Sequence, residues 1–365
     1  MSDLVDIRGC ADWIERLQRA DGSIPWVEAG IWDAWNHGES AMALAIAGRR
    51  ATTLKALDVF NERQEADGGF TGDLGASVPL DDANRRLVPG TPDTARDTNF
   101  TGYVAVTVLR SLLALNALDQ LPRYWPMLSR AMDFVLAHQG EHGDIVWRAR
   151  EAHEELSEID SLRAGNASLY KALECALIIA AAMGETRDDW VVARQAIGAV
   201  LRENDARFDR FGTDRRRYAM DWYYPVLAGV LSPETGRARL YARWSEFVSP
   251  GMGCRCVHDE PWVTAAETAE LVLACLAAQK PDQARTLLAN LSPLAADDGG
   301  YWMGWQYEEH VLWPYERPSW TAGALVLAAD ALDALTPGST LLTRVHVAER
   351  PVRTAGEGLP ASLRV

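Results

Sequence analysis

A short phrase recurs along this chain, and its recurrence constrains the fold more than any other feature. It reads Gln18-Arg-Ala-Asp21-Gly22-Ser23, then Gln64-Glu-Ala-Asp67-Gly68-Gly69-Phe70, then Gln139-Gly-Glu-His142-Gly143-Asp144, and near the end Asp297-Asp298-Gly299-Gly300-Tyr301-Trp302. Each copy closes one stretch of helical spacing and precedes another. A repeated supersecondary unit cannot bury its apolar face alone, so copies must pack on one another. Glycine takes backbone conformations that other residues resist, and aspartate caps such turns.

Apolar residues at helical spacing mark about twelve segments. They run over 7–19, 36–48, 51–65, 99–118, 123–138, 166–184, 187–203, 219–231, 234–247, 262–278, 281–292 and 318–335. Strand patterns are nearly absent. The segments alternate in character. Residues 187–202 carry charge along one side, as a surface helix does, whereas 167–182 and 321–332 are apolar almost all round. Polar outer helices alternating with apolar inner ones, in six pairs, predict an all-α (α/α)6 toroid in one domain, 1–335. Residues 336–365, with several Pro and Gly, read as a C-terminal tail outside the core. Two long loops, 71–98 and 140–165, interrupt the rhythm and are placed to cover a site.

The 365 residues carry 36 basic and 51 acidic side chains, a net charge of −15. That balance repels phosphate backbones, so nucleic acid is not an expected partner. The longest apolar run, 176–183, is too short to span a bilayer. Five scattered cysteines do not make a disulfide framework, which points to a reduced, cytoplasmic protein. Fourteen tryptophans are many for this length; they serve to plug turns or to wall a cavity.

These repeats resemble the QW-type repeats of squalene–hopene cyclases and the related repeats of protein prenyltransferase β-subunits. The resemblance implies an α/α toroid with a central ligand cavity, and an enzyme that transfers or cyclises an isoprenoid or similar apolar molecule. The catalytic motifs of those families are incomplete. Where the cyclases carry Asp-x-Asp-Asp-Thr, this chain reads Asp97-Thr98-Asn99-Phe100-Thr101, and Asn99 has no carboxylic proton to give. Where the prenyltransferases bind zinc, Asp259 aligns but Pro261 replaces the cysteine and Trp320 the later histidine. No cofactor is expected from these motifs. Cys254, Cys256, His258 and Asp259 remain as a weak alternative zinc set, with magnesium a further option.

A toroid's site is built from the N-termini of its inner helices and the loops before them. Six clusters line up there: Asp33-Ala-Trp35-Asn36-His37-Gly-Glu39; Asp97-Thr-Asn99 with Tyr103; Asn166-Ala-Ser168-Leu-Tyr170 with Glu174; Asp221-Trp222-Tyr223-Tyr224; Asp259 to Trp262 with Thr264 and Glu267; and Glu316-Arg-Pro-Ser-Trp320. Each joins an acid or amide to an aromatic. Clustered carboxyls in a partly apolar cavity raise one another's pKa, as acid–base pairs require.

The expected catalytic set is Asp221, Asp97, Glu267, Glu39 and His37. The expected binding set is Trp35, Asn99, Tyr103, Asn166, Tyr170, Trp222, Tyr223, Tyr224, Trp262, Glu316 and Trp320. Glu270 shares a face with Glu267, and a carboxyl there is costly to bury without a partner. Arg215–Arg217 read as a solvated turn or a diphosphate grip. Besides the isoprenoid reading, two others stand. One is a carbohydrate-active (α/α)6 enzyme (hydrolase, lyase or epimerase), since paired carboxyls and aromatic platforms suit glycoside chemistry. The other is a binding module without catalysis.

Overall fold

The computed structural model describes residues 2–28, 30–72, 74, 94–208, 210–212 and 214–349. The helices are α1 (Ile7–Leu17), α2 (Ala34–Ile46), α3 (Arg50–Arg63), α4 (Thr98–Ala114), α5 (Leu121–Ala137), α6 (Arg163–Ala182), α7 (Asp188–Glu203), α8 (Ala219–Leu227), α9 (Pro233–Ala242), the single turn α10 (Trp244–Phe247), α11 (Ala265–Ala277), α12 (Pro281–Ala289) and α13 (Ser319–Asp333). Seven strands of two or three residues lie in the connections: β1 (Phe70–Thr71), β2 (Arg96–Asp97), β3 (Val248–Ser249), β4 (Gly253–Cys254), β5 (Trp262–Thr264), β6 (Gly304–Gln306) and β7 (Val311–Leu312).

The helices form two rings. In the inner one α2 packs on α4, α4 on α6, α6 on α8, α8 on α11, α11 on α13, and α13 closes the ring on α2. In the outer one α1, α3, α5, α7, α9 and α12 each lie against one or two inner helices. The predicted (α/α)6 toroid is therefore the observed fold. Inner helices are apolar all round because neighbours cover every side: α4 is buried from Thr101 through Leu112 without a break. Links from an inner helix to the next outer one are short, as at 47–49 and 278–280, whereas links back to the inner ring are long, as at 138–162 and 290–318. The long loops thus gather at the N-termini of the inner helices and build that end of the ring into a mouth.

The repeated phrase joins neighbouring outer helices. Gln18 Nε2, just beyond α1, donates to Gly22 O in its own turn and to Thr52 O of α3, both at 3.0 Å. Gln64 does the same to Gly68 O and to Met127 O of α5, both at 2.9 Å. Gln139 bonds Gly143 O at 2.8 Å and Ala193 O of α7 at 3.1 Å. The glycine is required because it lies against the next helix in a left-handed conformation. At Gly68, φ is +96°, and a Cβ would stand 2.4 Å from Arg130 O. In the last copy the glycine is Gly299, where a Cβ would stand 2.1 Å from Gly9 O of α1. There Arg16 donates to Asp298 O in place of the glutamine, and the outer ring closes.

Where the sequence placed the tail outside the core, the structure differs through Glu349. Leu341 and Leu342 are buried with the ring's core. Gly338 O takes a bond from buried Arg110, which also pairs with Asp330 at 2.8 Å. Glu174 gathers the Lys171 ammonium, the Arg194 guanidinium and the backbone N–H of His346 and Val347. The tail's carbonyls and amides thus satisfy ions of α4, α6 and α7 that would be costly to bury unpaired. The predicted 262–278 helix begins at Ala265 because Trp262–Thr264 pairs with Gly304–Gln306 as a strand. Most of the 71–98 loop lies outside the described residues.

Candidate active site

Each inner helix places its sixth residue on the ring axis. These are Glu39 (α2), Tyr103 (α4), Ser168 (α6), Tyr224 (α8), Glu270 (α11) and Ala324 (α13). All six line one enclosed cavity, with Lys171, Leu227, Leu273 and Leu327 a turn deeper and Leu342 of the tail beside them. The cavity measures about 10 Å³, room for about one water molecule. A sugar or an isoprenoid does not fit there, so this layer is the floor of the site.

Tyr224 donates to Glu270 Oε1 at 3.1 Å, and Tyr223 donates to Oε2. Tyr103 donates to Glu39 Oε1 at 3.4 Å. Trp35 stacks on Tyr103 with ring centroids 3.8 Å apart and 11° between planes. Burial pushes the Glu270 carboxyl above the ordinary range, with the two tyrosines opposing it and Glu267 adding repulsion. Burial pushes Glu39 well above the usual carboxyl range too, helped by repulsion from Glu270.

One turn above the floor, the third residue of α11 is Glu267, half-buried at the mouth. Thr264 Oγ1 donates to its Oε2. In the first turns of α2, α4 and α13, at the same end of the ring, lie half-buried Asn36, Asn99, Phe100 and Trp320. Asn99 Oδ1 and Trp320 Nε1 are buried without a hydrogen-bond partner. Trp262, on the rim strand β5, donates to Trp313 O at 2.7 Å and meets the Trp313 ring edge-on at 4.9 Å. Glu316 lies in the same rim, its carbonyl accepting from Met303 N. Asp33 caps α2, taking Asn36 N at 2.8 Å, Asn36 Nδ2 at 2.6 Å and Trp26 Nε1 at 2.5 Å. Burial lifts its carboxyl to about 6 against those donors.

The other expected residues lie elsewhere or are committed to the scaffold. Asp97 caps α4, accepting Phe100 N at 2.8 Å. Asp221 is buried between α8 and α6, its Oδ1 accepting Ala164 N at 3.2 Å. His37 is fully buried: Nδ1 accepts Ile24 N at 3.0 Å and Nε2 faces Ala56 O at 2.9 Å, so neither nitrogen is left for a substrate. Asn166 pins the 140–165 loop through both atoms of Ile145's peptide at 2.8 Å. Tyr170 faces the opposite end of the ring and bonds Glu349 at 2.8 Å. Trp222 packs outward on Phe247, 4.9 Å between centroids.

Arg217 pairs with Asp259 at 3.0 Å and Arg216 with Asp214 at 3.1 Å, which leaves an exposed turn rather than a diphosphate grip. Cys254 is fully buried and Asp259 points away to that arginine, so the four weak zinc candidates do not converge. Among the described residues no group of three or more His, Cys, Asp or Glu is arranged to hold a metal ion. Sequence reasoning singled out Glu270 beside Glu267, but it did not assign Ser168 to the floor or read Asp33 as a perturbed carboxyl. The shared sixth position was legible only once each helix start was fixed.

An all-α double ring of paired helices defines a class, the (α/α)6 toroids, and comparison with solved structures agrees. A wild-type glycosidase superposes with a TM-score of 0.67 at 15% identity, covering 92% of this chain and 96% of that one. A D-mannose isomerase gives 0.60 at 12%, covering 87% and 95%. A sugar epimerase from a ruminal bacterium gives 0.60 at 11%, covering 90% and 98%. At such identities these bear on fold alone. No protein-family model matches the chain. The MMP endo-(1,4)-3-O-methyl-α-D-mannosidase of Mycolicibacterium hassiacum, however, is 39% identical over 340 residues, spanning 93% of this chain and 89% of that protein. The chain belongs to the family of that endo-mannosidase. This overturns the resemblance to terpenoid cyclases and prenyltransferases, and with it the expected isoprenoid transferase or cyclase. The repeats that suggested it are a device for joining outer helices of a toroid, and such a device does not specify chemistry.

Proposed function

We propose that the chain is a glycoside hydrolase that cuts internal α-(1→4) bonds of a mannan chain carrying 3-O-methyl groups. The observation that carries the reading is Glu267, a carboxyl held at the mouth by Thr264 directly above the buried Glu39–Glu270 floor. Kinship with an endo-mannosidase over nearly the whole chain supports the substrate. Glycoside hydrolysis needs two carboxyl groups flanking the scissile bond, one to protonate the leaving oxygen and one to act on the opposite side of the sugar. Glu267 is the first. Asp33 is the second: it opens α2, the neighbour of α13 on the side away from α11, and its raised pKa suits proton exchange near neutrality.

Trp320, half-buried where it opens α13 between those two helices, provides aromatic surface. Sugar C–H faces and methoxy groups pack well on such rings, whereas phosphate does not. The acidic surface disfavours polyanions and tolerates a neutral polysaccharide. Five free cysteines support a reducing, cytoplasmic setting. The described helices include none long and apolar enough to cross a membrane.

Two substitutions test the roles. Glu267→Gln is expected to lower kcat by about 10²–10⁴-fold, the range for a lost acid–base group. Asp33→Asn keeps the helix cap, because asparagine caps as well as aspartate, yet removes the charge. Its amide nitrogen would replace Oδ2, which accepts from both Trp26 Nε1 and Asn36 Nδ2, so it is expected to lower kcat and the melting temperature together. Unchanged kcat in a folded Glu267→Gln protein would overturn the assignment.

A further inference from the structure

Two of the six side chains meeting on the ring axis are carboxyls, and among the described residues no cation is turned toward them. The ionisable groups around them can be named helix by helix. Asp33 shares α2 with Glu39, and Glu267 shares α11 with Glu270. Tyr103 comes from α4, with Arg110 deeper on the same helix, and that guanidinium is committed to Asp330 at 2.8 Å and to Gly338 O. Tyr223 and Tyr224 come from α8, and the buried Cys254 thiol from β4. From α6, Lys171 lines the same cavity, but its ammonium is spent on Glu174 at 3.1 Å and on Arg344 O at 2.7 Å. Helix α13 offers only Ala324 and Leu327.

What faces the carboxyls is therefore a set of neutral donors. Tyr223 and Tyr224 serve Glu270, and Tyr103 and Trp35 serve Glu39. Such a set stabilises one negative charge. It does not offset the repulsion between two buried carboxylates, which makes one of a facing pair hold its proton. A second observation points to what joins them. Ser168 Oγ, on a residue 2% exposed, lines the same water-sized cavity and has no hydrogen-bond partner.

We propose that Glu39 and Glu270 share a single proton across this cavity, bridged by one water held on Ser168 Oγ, and that the resulting single negative charge is the fixed electrostatic floor of the sugar site. The proposal deepens the hydrolase reading and rests on it. Neither carboxyl touches the substrate; both are positioning residues. Cleavage develops positive charge at the anomeric carbon and ring oxygen of the sugar lying above. A preorganised negative charge favours that state over the uncharged ground state. A fully protonated pair would supply no counter-charge, and a fully ionised pair would drive its two helices apart.

The test is carbon-13 NMR of the full-length protein with labelled glutamate carboxyls, assigned with Glu39→Gln and Glu270→Gln. In the wild type, one carboxyl of the pair stays protonated at pH 7 and the other ionised. In either variant, the surviving carboxyl has lost its negative neighbour and titrates at lower pH than in the pair. Both variants are expected to lower kcat on a methylated mannan oligosaccharide by about 10–10³-fold, with KM changed less than about threefold. Should neither variant fold, wild-type spectra and Ser168→Ala carry the test. Removing the hydroxyl takes away the anchor of the bridging water and is expected to bring the two titrations closer together. Two ionised or two protonated carboxyls at pH 7, or undiminished kcat in Glu270→Gln, would overturn the dyad. The spectra need no turnover, so a wild type that cleaves no mannan would sink the hydrolase reading while leaving the shared proton to be read separately.

Discussion

His37 shows how much a side chain's partners matter beyond its type. From sequence it reads as a base beside Glu39. In the fold both ring nitrogens are bound to backbone, which fixes the tautomer with hydrogen on Nε2 and acceptance at Nδ1. Burial lowers its pKa from 6.5 to about 4. The folded state thus resists protonation where the unfolded chain accepts it. Stability is full above about 6.5 and falls as pH drops toward 4, by up to roughly 3 kcal/mol. Glu270 acts in the opposite sense. Its raised pKa means its folded-state contribution is complete below the ordinary glutamate range and is lost as pH rises above that range. Urea midpoints measured across pH 4–8 check the histidine. His37→Gln, which keeps one donor and one acceptor, is expected to flatten the acid limb; an unchanged slope would contradict the account. Asn166 was likewise legible as an important polar residue, but not as a loop pin. Sequence gives a side chain's chemistry without the backbone groups that consume it.

At the scale of elements, the repeated turn carries the clearest sequence-to-structure link. Its glutamine satisfies two carbonyls, and its glycine permits contact with the next helix. Gln64→Ala removes the donor to Gly68 O and Met127 O and is expected to cost about 1–3 kcal/mol. Gly68→Ala forces a Cβ against Arg130 O in a left-handed backbone and is expected to cost more. Thermal melts of both, compared with an exposed control, check the order. If Gly68→Ala were neutral, the turn would not be the staple described. The helix count, the pairing and the inner–outer alternation were all legible in apolar spacing. Misread starts were local: α6 begins at Arg163 rather than 166, and 262–264 is strand. Those few residues decide which side chain reaches the axis. That is why the layer of sixth residues, Ser168 among them, could not be read beforehand. The same turns also misled. Their likeness to QW repeats is real at the level of a helix joint and says nothing of the ligand.

For the whole molecule, the double ring fixes a division of labour. One end is closed by the tail through buried ions on α4, α6 and α7, and the other is opened by long loops. Between them lies a floor with room for about one water molecule, which leaves the mouth beside Glu267 as the place for the proposed chemistry. Length and acidity were enough to exclude nucleic acid as an expected partner. They could not separate an isoprenoid from a sugar, because both bind among aromatics and acids; family kinship made that distinction. The central claim is that this mouth cleaves a methylated mannan from within. The most direct measurement is a time course of wild-type protein with an α-(1→4)-linked 3-O-methylmannan oligosaccharide, its products sized by mass spectrometry. The account predicts early fragments of several units, each gaining one water, from breaks inside the chain. Release of single terminal residues only, or an intact oligosaccharide beside folded protein, would contradict it.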